Sequence, residues 1–296
     1  MATSNPFRRR IKELKEEFDR LRPGKESLLN IIDEAELPES VYNSNAIENS
    51  TLTLKETEKI LLQMELSREV DLREVFEAKN LARVMEYVRG KAAQSEITKE
   101  LMLLLHQMLL LNIKDAIAGR FRQKGEYVRI GTHIAPAPEK VEQMIDALLV
   151  DFSSDQESYV TDKIARFHLD FETIHPFNDG NGRIGRVLMN FQFLRFGFPM
   201  VVLRDKEKRA YYRAFQEYEG TKATKPMERF VVLALIESLH KRVTYLRGEK
   251  IIALAEYAKI HAQKMPALLN AARRQTIPAF RERGVWKIGA EYTNAE

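Results

Sequence analysis

The sequence predicts a mainly α-helical (all-α) protein with one short β-hairpin and a small basic module at the C-terminal end. Apolar residues recur at helical spacing through most of the 296 residues. The segment 126–137 instead combines β-prone residues with turn residues. Residues 250–296 hold eight Lys or Arg against four Asp or Glu, so the whole formal net charge of +4 lies there. A basic end on a neutral body predicts an appended module that meets an anionic partner.

The first half of the chain is predicted from apolar spacing and helix caps. A helix that begins near Ile11 ends at Pro23, where proline and glycine stop the pattern. Thr53 and Glu56 form a capping-box pattern that begins another helix. The segment 126–137 is predicted to be a hairpin or flap. Further helices are predicted at 75–88, 97–111 and 140–152.

In the second half, two core helices are predicted to flank a twelve-residue loop, HPFNDGNGRIGR. An amphipathic helix at 162–174 leads into the loop, and a second helix begins near Arg183 and ends at Gly197. A short junction is predicted at 244–250. The domain prediction is an N-terminal helical region at 1–65, a central domain at 66–245 and the basic module at 250–296.

Composition excludes several classes of protein. The chain has no cysteine, which rules out a disulfide framework, thiolate-bound zinc and a cysteine nucleophile, and is typical of a reducing cytoplasm. The N-terminus lacks the apolar stretch of a signal peptide. The most apolar run, at 101–111, is too short to span a bilayer. We therefore expect a cytoplasmic protein without membrane contact.

The glycine-rich end of the loop has the features of an anion site. Gly180, Asn181 and Gly182 precede a helix, so exposed backbone N–H groups and the helix dipole favour a phosphate there. Arg183 and Arg186 can add charge-assisted hydrogen bonds. The alternative is an ordinary loop followed by a solvated arginine face. The Walker pattern GxxxxGK(S/T) and the G-x-G-x-x-G pattern are both absent, so neither of those nucleotide sites is supported.

The other end of the loop carries acid and base chemistry. Asp179 is acidic where anions are favoured, and a hard divalent cation would resolve that conflict by bridging carboxylate and phosphate. His175 has an ordinary pKa near 6.5 and suits a general base. Together the two ends predict transfer of a phosphorus group from a nucleotide, with His175 activating the acceptor.

Residues 175–186 resemble the motif of Fic-domain proteins, HPFx(D/E)GN(G/K)RxxR, at every fixed position. The stretch 118–122 followed by 127–138 resembles the approach to the family's flap, and 209–212 resembles its nucleotide-side helix. The resemblance spans roughly residues 40–240. It implies a Fic-type helical bundle with a small β-hairpin flap.

The resemblance implies a protein adenylyltransferase, which moves AMP from ATP to a hydroxyl side chain of a target protein and releases pyrophosphate. His175 would deprotonate the hydroxyl, and Asp179 would hold Mg²⁺ or Mn²⁺. The flap would hold the target by backbone pairing through Val128, Arg129, Ile130 and Gly131, unless it is an ordinary hairpin. The residues implied to bind ATP are Asp179, Gly180, Asn181, Gly182, Arg183, Ile184, Gly185, Arg186, Tyr211 and Tyr212, the two tyrosines being core residues in the alternative interpretation.

A second pattern upstream resembles the family's inhibitory motif, (S/T)xxxE(G/N). It comprises Ser44, Glu48 and Asn49, and the first two lie four residues apart on one helix face. If Glu48 reaches Arg186, it neutralises the guanidinium that should meet the γ-phosphate. In the alternative, Glu48 is a solvated helix residue and Asn49 a C-cap.

The basic tail resembles winged helix-turn-helix modules of the excisionase or MerR type. A helix at 251–261, a turn, a second helix opened by Pro266 and β-like runs at 277–280 and 285–288 follow in that order. The resemblance implies DNA contacts by the side chains Asn270, Arg273, Arg274, Arg281 and Arg283. A protein-docking or dimerisation module with a solvated basic face is the alternative.

Several functions and partners stay open at this stage. Transfer of phosphate or phosphocholine, or removal of AMP, also occurs on this fold, and a DNA-binding regulator is a further hypothesis. The partners considered are a target protein, the chain itself through self-modification, DNA, and a second copy in a homodimer.

Overall fold

The computed structural model describes residues 5–65, 70–131 and 133–293, and most of these are helical. Residue 66, at the predicted domain boundary, and residue 132, in the predicted hairpin, lie outside the described residues. The α-helices found in the described ranges are α1 Asn5–Leu21, α2 Glu26–Ile47, α3 Leu54–Glu58, α4 Leu72–Lys91, α5 Lys99–Leu110, α6 Pro138–Ser154, α7 Val160–Ile174, α8 Asn181–Arg195, α9 Lys208–Thr221, α10 Lys225–Arg247, α11 Leu254–Ile260 and α12 Met265–Arg273. The strands are β1 Arg129–Ile130, β2 His133–Ile134, β3 Ile251–Ala253, β4 Phe280–Glu282 and β5 Val285–Gly289.

Helices α7 and α8 lie at the centre of the helical body, between two apolar clusters. The stripe of α8 that includes Ile184, Val187 and Phe191 is buried in one cluster with α4, α5 and α6. Ile11 and Phe18 of α1 are buried in the other cluster with α7, α9 and α10. The loop between α7 and α8 is therefore anchored at both ends in packed core.

Two predicted boundaries are wrong, and one predicted helix changes type along its length. Helix α8 begins at Asn181 rather than near Arg183, so Asn181 and Gly182 belong to its first turn. Helix α10 runs to Arg247 and ends at Gly248, whose φ of 72° suits glycine, so the predicted junction starts too early. The capping box at Thr53 is confirmed, but α3 passes into a π-helical turn at Lys59–Gln63.

Residues 251–253 were predicted to open a helix, and the structure shows them as strand β3. Ile251 pairs with Gly289 and Ile252 with Ile288, so β3 completes a three-stranded antiparallel sheet in the order β3-β5-β4. The partner strand lies far along the chain, and local periodicity carries no information about it. Helices α11 and α12 cover this sheet, which confirms the winged-helix-like architecture of the module.

Ion pairs and hydrogen bonds fasten the C-terminal module to the helical body. Arg281 of β4 contacts Glu237 of α10, with Nη2 to Oε2 at 2.6 Å, and Glu207, with Nη1 to Oε1 at 2.8 Å. The backbone N–H groups of Arg283 and Gly284 donate to the carboxylate of Glu39 on α2, at 3.1 and 2.9 Å. The turn between β4 and β5 is therefore bonded to the helix that carries Ser44 and ends just before Glu48.

None of the helices in the described ranges combines the length and apolar character that a membrane-spanning helix needs.

Candidate active site

The loop 175–180 is held in shape by the side chain of Asn181. His175 ends α7 with a left-handed φ of 49°, and Gly180 precedes α8 with a φ of 82°. The Phe177 N–H donates to Asn181 Oδ1, and Asn181 Nδ2 donates to the Phe177 carbonyl, both at 2.8 Å. The Asn181 side chain thus braces the loop. Its backbone N–H stays at the open N-terminus of α8, with those of Gly182 and Arg183.

His106 of α5 is a second brace, and the sequence analysis gave it no role. Its ring stacks on Phe177, with centroids 3.8 Å apart. The Gly119 N–H donates to Nδ1 at 3.1 Å, so Nε2 carries the proton and donates to the Asp179 carbonyl, also at 3.1 Å. Burial lowers the pKa of His106 to about 4, so the ring is neutral and keeps this tautomer.

Arg122, which is buried, ties the base of the hairpin to the start of the loop. Its Nε donates to the His175 carbonyl at 2.8 Å, and Nη2 donates to the Pro136 carbonyl at 2.9 Å. Its own N–H donates to the Pro176 carbonyl at 2.9 Å. The sequence placed Arg122 near the flap, but a buried arginine that pairs only with carbonyls has no local sequence pattern.

The His175 ring is neutral in its surroundings. Burial, supported by the positive charge of Arg122, lowers the pKa of His175 to about 4. Its Nδ1 lies 3.7 Å from Glu172 Oε2, and it has no hydrogen-bond partner among the described residues. A neutral imidazole at pH 7 can accept a proton, as a general base must.

Glu172, one helical turn before His175, is a buried carboxyl that the sequence analysis missed. Burial, followed by repulsion from Glu48, raises the pKa of Glu172 to about 8. Its Oε1 lies so close to α8 that a Cβ built on Gly185 would sit 2.4 Å from it. Glycine at 185 therefore permits the close approach of α7 and α8 beside the loop.

We expect Glu172→Gln to stabilise the protein more at pH 8 than at pH 5. The folded pKa of about 8 exceeds the ordinary 4.5, so the folded state keeps a proton that the unfolded state loses as pH rises between these values. Wild-type stability should fall across this window by up to about 1.4 kcal/mol per pH unit relative to the glutamine variant. Urea unfolding at several pH values measures this. A pH-independent difference would contradict the assignment of a protonated Glu172.

Asp179 is surrounded by cations. Lys114 Nζ lies 2.7 Å from its Oδ2, Arg73 Nη2 lies 3.3 Å from the same oxygen, and Arg183 Nη2 lies 3.2 Å from Oδ1. Burial alone would raise the pKa of Asp179, but the hydrogen bond from Lys114 and these charges hold it below the ordinary value. The carboxylate is therefore ionised, and both of its oxygens are paired with these cations. Arg183 also contacts Glu77 Oε1, at 3.2 Å.

Arg186 is buried, and Ser44 and Glu48 at the C-terminal end of α2 accept its hydrogen bonds. Its Nη2 donates to Glu48 Oε1 and to the Ser44 carbonyl, and its Nε donates to Ser44 Oγ, all at 2.9 Å. Burial disfavours the charge of Arg186, but Glu48 raises its pKa above the ordinary value. Ser44 and Glu48 thus occupy the hydrogen-bonding edge that an anion at the N-terminus of α8 would use.

The Glu48 carboxylate lies directly over Gly182. A Cβ built on Gly182 would sit 2.2 Å from Glu48 Oε1, closer than two such atoms can approach. The glycine therefore lets a carboxylate oxygen reach the first turn of α8, where backbone N–H groups are open. An oxygen of a phosphate is chemically similar, so Glu48 covers the position predicted for phosphate.

A double-mutant cycle tests this contact. We expect Gly182→Ala to cost about 1–3 kcal/mol of unfolding free energy, because the new methyl group displaces Glu48. In the Glu48→Gly background the same substitution should cost little, since no carboxylate lies there. Urea unfolding of the four proteins gives the coupling. Equal costs in both backgrounds would show that Glu48 does not cover Gly182 in solution.

Comparison with known proteins agrees with this geometry. Residues 96–193 match the Fic/DOC family, and this range includes His106, Arg122 and the whole loop. Residues 96–193 of this chain match a Fic domain.

The similarity to relatives and to solved structures extends beyond residues 96–193. A Protein adenylyltransferase Fic from Nematostella vectensis is 33% identical over 177 residues, 58% of this chain and 41% of the relative. One from Drosophila grimshawi is 30% identical, covering 64% and 40%. The chain thus spans about two fifths of the length of these relatives. A Fic domain containing signaling protein from Bacteroides thetaiotaomicron superposes with a TM-score of 0.74 at 25% identity, covering 81% of this chain and 98% of that one.

The fold similarity also includes the C-terminal module. A Fic family protein from Desulfovibrio desulfuricans has a TM-score of 0.67 and covers 99% of this chain and 98% of its own, at 21% identity. At that identity the likeness shows the fold alone. Helical body and module therefore occur together on at least one other chain.

The hairpin of the Fic domain is small and open at its edges. Arg129 pairs with Ile134, and the Val128 carbonyl accepts from the Ala135 N–H at 3.1 Å. Arg129 Nε donates to the Gly131 carbonyl at 2.7 Å, which tightens the turn. Within the described residues this sheet has two strands, so each strand keeps an edge where an extended peptide can pair.

Helix α9 holds the segment that follows Ser44 in place. Tyr212 OH donates to the Ile47 carbonyl at 3.2 Å, and Lys208 Nζ donates to Asn49 Oδ1 at 2.8 Å. Asn49 itself has a left-handed φ of 69° just after the end of α2. Tyr211 is buried in the core, with its hydroxyl 2.7 Å from His168 Nε2 and its ring centroid 6.0 Å from the Arg186 guanidinium. The two tyrosines predicted to bind nucleotide are thus one core residue and one partner of the Glu48 segment.

In the C-terminal module, the residues predicted to contact DNA divide into two sets. Asn270, Arg273 and Arg274 are exposed on α12. Arg283 is exposed, and its Nε lies 3.0 Å from Glu58. Arg281 is directed into the body by Glu237 and Glu207, so its guanidinium is not free for a phosphate. Contact with duplex DNA stays a prediction for the exposed residues.

Proposed function

We propose that this chain is a protein adenylyltransferase that transfers AMP from ATP to a hydroxyl group of a target protein and is inhibited by Glu48. The observation that carries the proposal is the Glu48–Arg186 contact at the N-terminus of α8, one loop away from a neutral His175. The relatives named Protein adenylyltransferase Fic support the activity. The Fic domain contains the loop that carries His175 and Asp179.

The N-terminus of α8 would bind the phosphates. Backbone N–H groups of Gly182 and Arg183 face the position now covered by Glu48, and the dipole of α8 favours negative charge there. Arg186 supplies a guanidinium that can pair with two phosphate oxygens once Glu48 withdraws. The buried surroundings strengthen these interactions relative to water.

His175 would accept the proton of the attacking hydroxyl. The hydroxyl oxygen of a Ser, Thr or Tyr forms a bond to the α-phosphorus, and its proton passes to the imidazole. The bond between the α-phosphorus and the oxygen that bridges to the β-phosphorus breaks, and pyrophosphate leaves. Nε2 is the nitrogen suited to this transfer, because Nδ1 is buried beside Glu172.

Asp179 suits a divalent cation that arrives with the nucleotide. Within the described ranges no group of three or more His, Cys, Asp or Glu gathers around a metal position. Mg²⁺ commonly takes one or two carboxylates together with substrate phosphates, so a single ionised Asp179 is sufficient. When bound, Mg²⁺ or Mn²⁺ would neutralise charge on the phosphates, while Lys114, Arg73 and Arg183 orient the carboxylate.

Labelled ATP tests which group is transferred. With Glu48→Gly protein and a lysate of candidate targets, we expect protein labelling from ATP that carries the label at the α-phosphorus and none from ATP labelled at the γ-phosphorus. The α-label alone stays with AMP when pyrophosphate leaves. Labelling from the γ-position would replace the proposal with phosphate transfer. Labelling from neither position, with nucleotide bound, would contradict transferase activity on those targets.

A further inference from the structure

A basic groove lies between the helices α9 and α10 of the helical body and the C-terminal module, apart from the loop 175–186. Its cavity volume is about 660 Å³, and α9, α10, α12 and the β4–β5 turn line it. Volumes of roughly 300–1,000 Å³ are typical of small-ligand sites. On α10 the lining runs from Pro226 to Glu237, twelve residues, or about 16 Å of helix.

Four cationic side chains at this groove carry positive charge that no acidic side chain in the described ranges pairs with. They are Lys206, Arg213, Arg229 and Arg273, all exposed and without an ion-pair partner among the residues that the structure describes. The two acidic residues of the lining, Glu207 and Glu237, both pair with Arg281, and Glu237 also pairs with Arg204. The groove therefore attracts an anion.

The floor between these cations is apolar and aromatic. Phe230 and Leu233 contribute from α10, Leu269 from α12 and Trp286 from β5. Each is only partly buried, so each presents some apolar surface to the groove. The Arg281 guanidinium lies 4.6 Å from the Trp286 ring centroid, which fixes the indole in place. The occupant thus needs an apolar planar part as well as negative charge.

We propose that this groove binds nucleotide units, with phosphates on the free cations and a base against Phe230 and Trp286. A charged groove with aromatic side chains is the arrangement that binds single-stranded nucleic acid, where stacking contributes about 1–3 kcal/mol per base. Three of the four cations are arginines, whose planar guanidinium pairs with phosphate and also stacks on rings. A cavity of this size takes one or two nucleotides and excludes a duplex.

The groove is separate from the site proposed for ATP. On α9, Ala210 and Arg213 line the groove. Lys208 and Tyr212 point to the opposite side of α9 and form hydrogen bonds with the segment beside Glu48. Residues two apart on a helix face roughly opposite directions, so the two sets cannot serve one ligand. The unit bound could come from a free mononucleotide or from a single strand.

Trp286 is the only tryptophan of the chain, so its fluorescence reports this groove and not the loop 175–186. We expect saturable quenching of wild-type emission by a short oligothymidylate, by AMP, or by both. The charge-reversal pair Arg213→Glu with Arg229→Glu should weaken binding at least tenfold. The pair Arg83→Glu with Lys259→Glu makes the same change in net charge on exposed residues outside the groove and should leave binding unchanged.

The possible results distinguish a free nucleotide from a single strand and test the alternatives to the proposal. Comparable quenching by AMP and oligothymidylate identifies a free nucleotide, and much tighter oligothymidylate binding identifies a single strand. The proposal is overturned if no probe quenches, if poly-glutamate quenches equally well, or if both charge-reversal pairs weaken binding alike. Duplex DNA that binds as tightly as the single strand and depends on Asn270 and Arg274 would also overturn it, in favour of duplex contact by α12.

Discussion

Replacing Glu48 by glycine should raise AMP transfer roughly tenfold. A hydrogen bond to a charged group contributes about 1.5–3 kcal/mol, and the Glu48 side chain is 36% exposed, so the lower end of this range applies. Loss of about 1.4 kcal/mol of inhibitory contact corresponds to one factor of ten. Glycine also removes the carboxylate from above Gly182, so the phosphates and Arg186 can meet.

The measurement is incorporation of α-labelled AMP into target or into the chain itself, at matched protein concentration. Glu34→Gly is the matched control, because it makes the same substitution on an exposed position of α2 without contact to Arg186. Ser44→Ala should raise AMP transfer less than Glu48→Gly does, since the backbone carbonyl of residue 44 still accepts a hydrogen bond from Arg186 Nη2. Unchanged activity in Glu48→Gly protein with bound ATP would end the inhibitory assignment.

The same substitution should lower stability while it raises activity. Without Glu48, the buried Arg186 guanidinium keeps only Ser44, and a buried charge that loses its partner destabilises the fold. Added ATP should then restore stability, because a ligand that binds only the folded state stabilises it by mass action. A gain in activity without loss of stability would indicate that the contact is weaker in solution than in the structure.

Much of the fold could be predicted from the sequence, because the apolar stripes of α1, α4, α5, α7 and α8 repeat at helical spacing. The failures have physical causes. Strand β3 exists only because β5 supplies its hydrogen bonds from the far end of the module. Helix α2 contains Pro38 and shows little difference between its two faces, as it is buried along much of its length. Local periodicity cannot reveal either arrangement.

The candidate active site likewise has a part that the sequence reveals and a part that it does not. The loop 175–186 could be recognised because its residues are contiguous and each has a chemical reason to be there. His106, Arg122 and Glu172 could not, because their roles depend on burial and on partners brought together by the fold. The contacts by which the C-terminal module docks on the helical body could not be predicted for the same reason. Arg281 was predicted to meet DNA, and Glu237 and Glu207 bind it instead.

His175→Ala should reduce AMP transfer by about 10²–10⁴-fold in the Glu48→Gly background, while ATP binding persists. General base catalysis contributes on this order, and alanine leaves no group at the end of α7 to accept the proton. The N-terminus of α8 and Arg186 are untouched, so the phosphates keep their contacts. Transfer is measured with α-labelled ATP and binding by calorimetry. His261→Ala, an exposed histidine of the module, is the control and should retain full activity.

The pH profile of the Glu48→Gly protein gives a second check on His175. With a pKa of about 4, the imidazole is neutral and able to accept a proton throughout the range from pH 5 to 8. The negative charge of Glu48 raises the pKa of His175, so its removal moves the value further down. Transfer should therefore stay flat from pH 6.5 down to pH 5, whereas an ordinary histidine base would already have lost half its activity at pH 6.5. A fall centred near pH 6.5 would mean that the ring is solvated during catalysis.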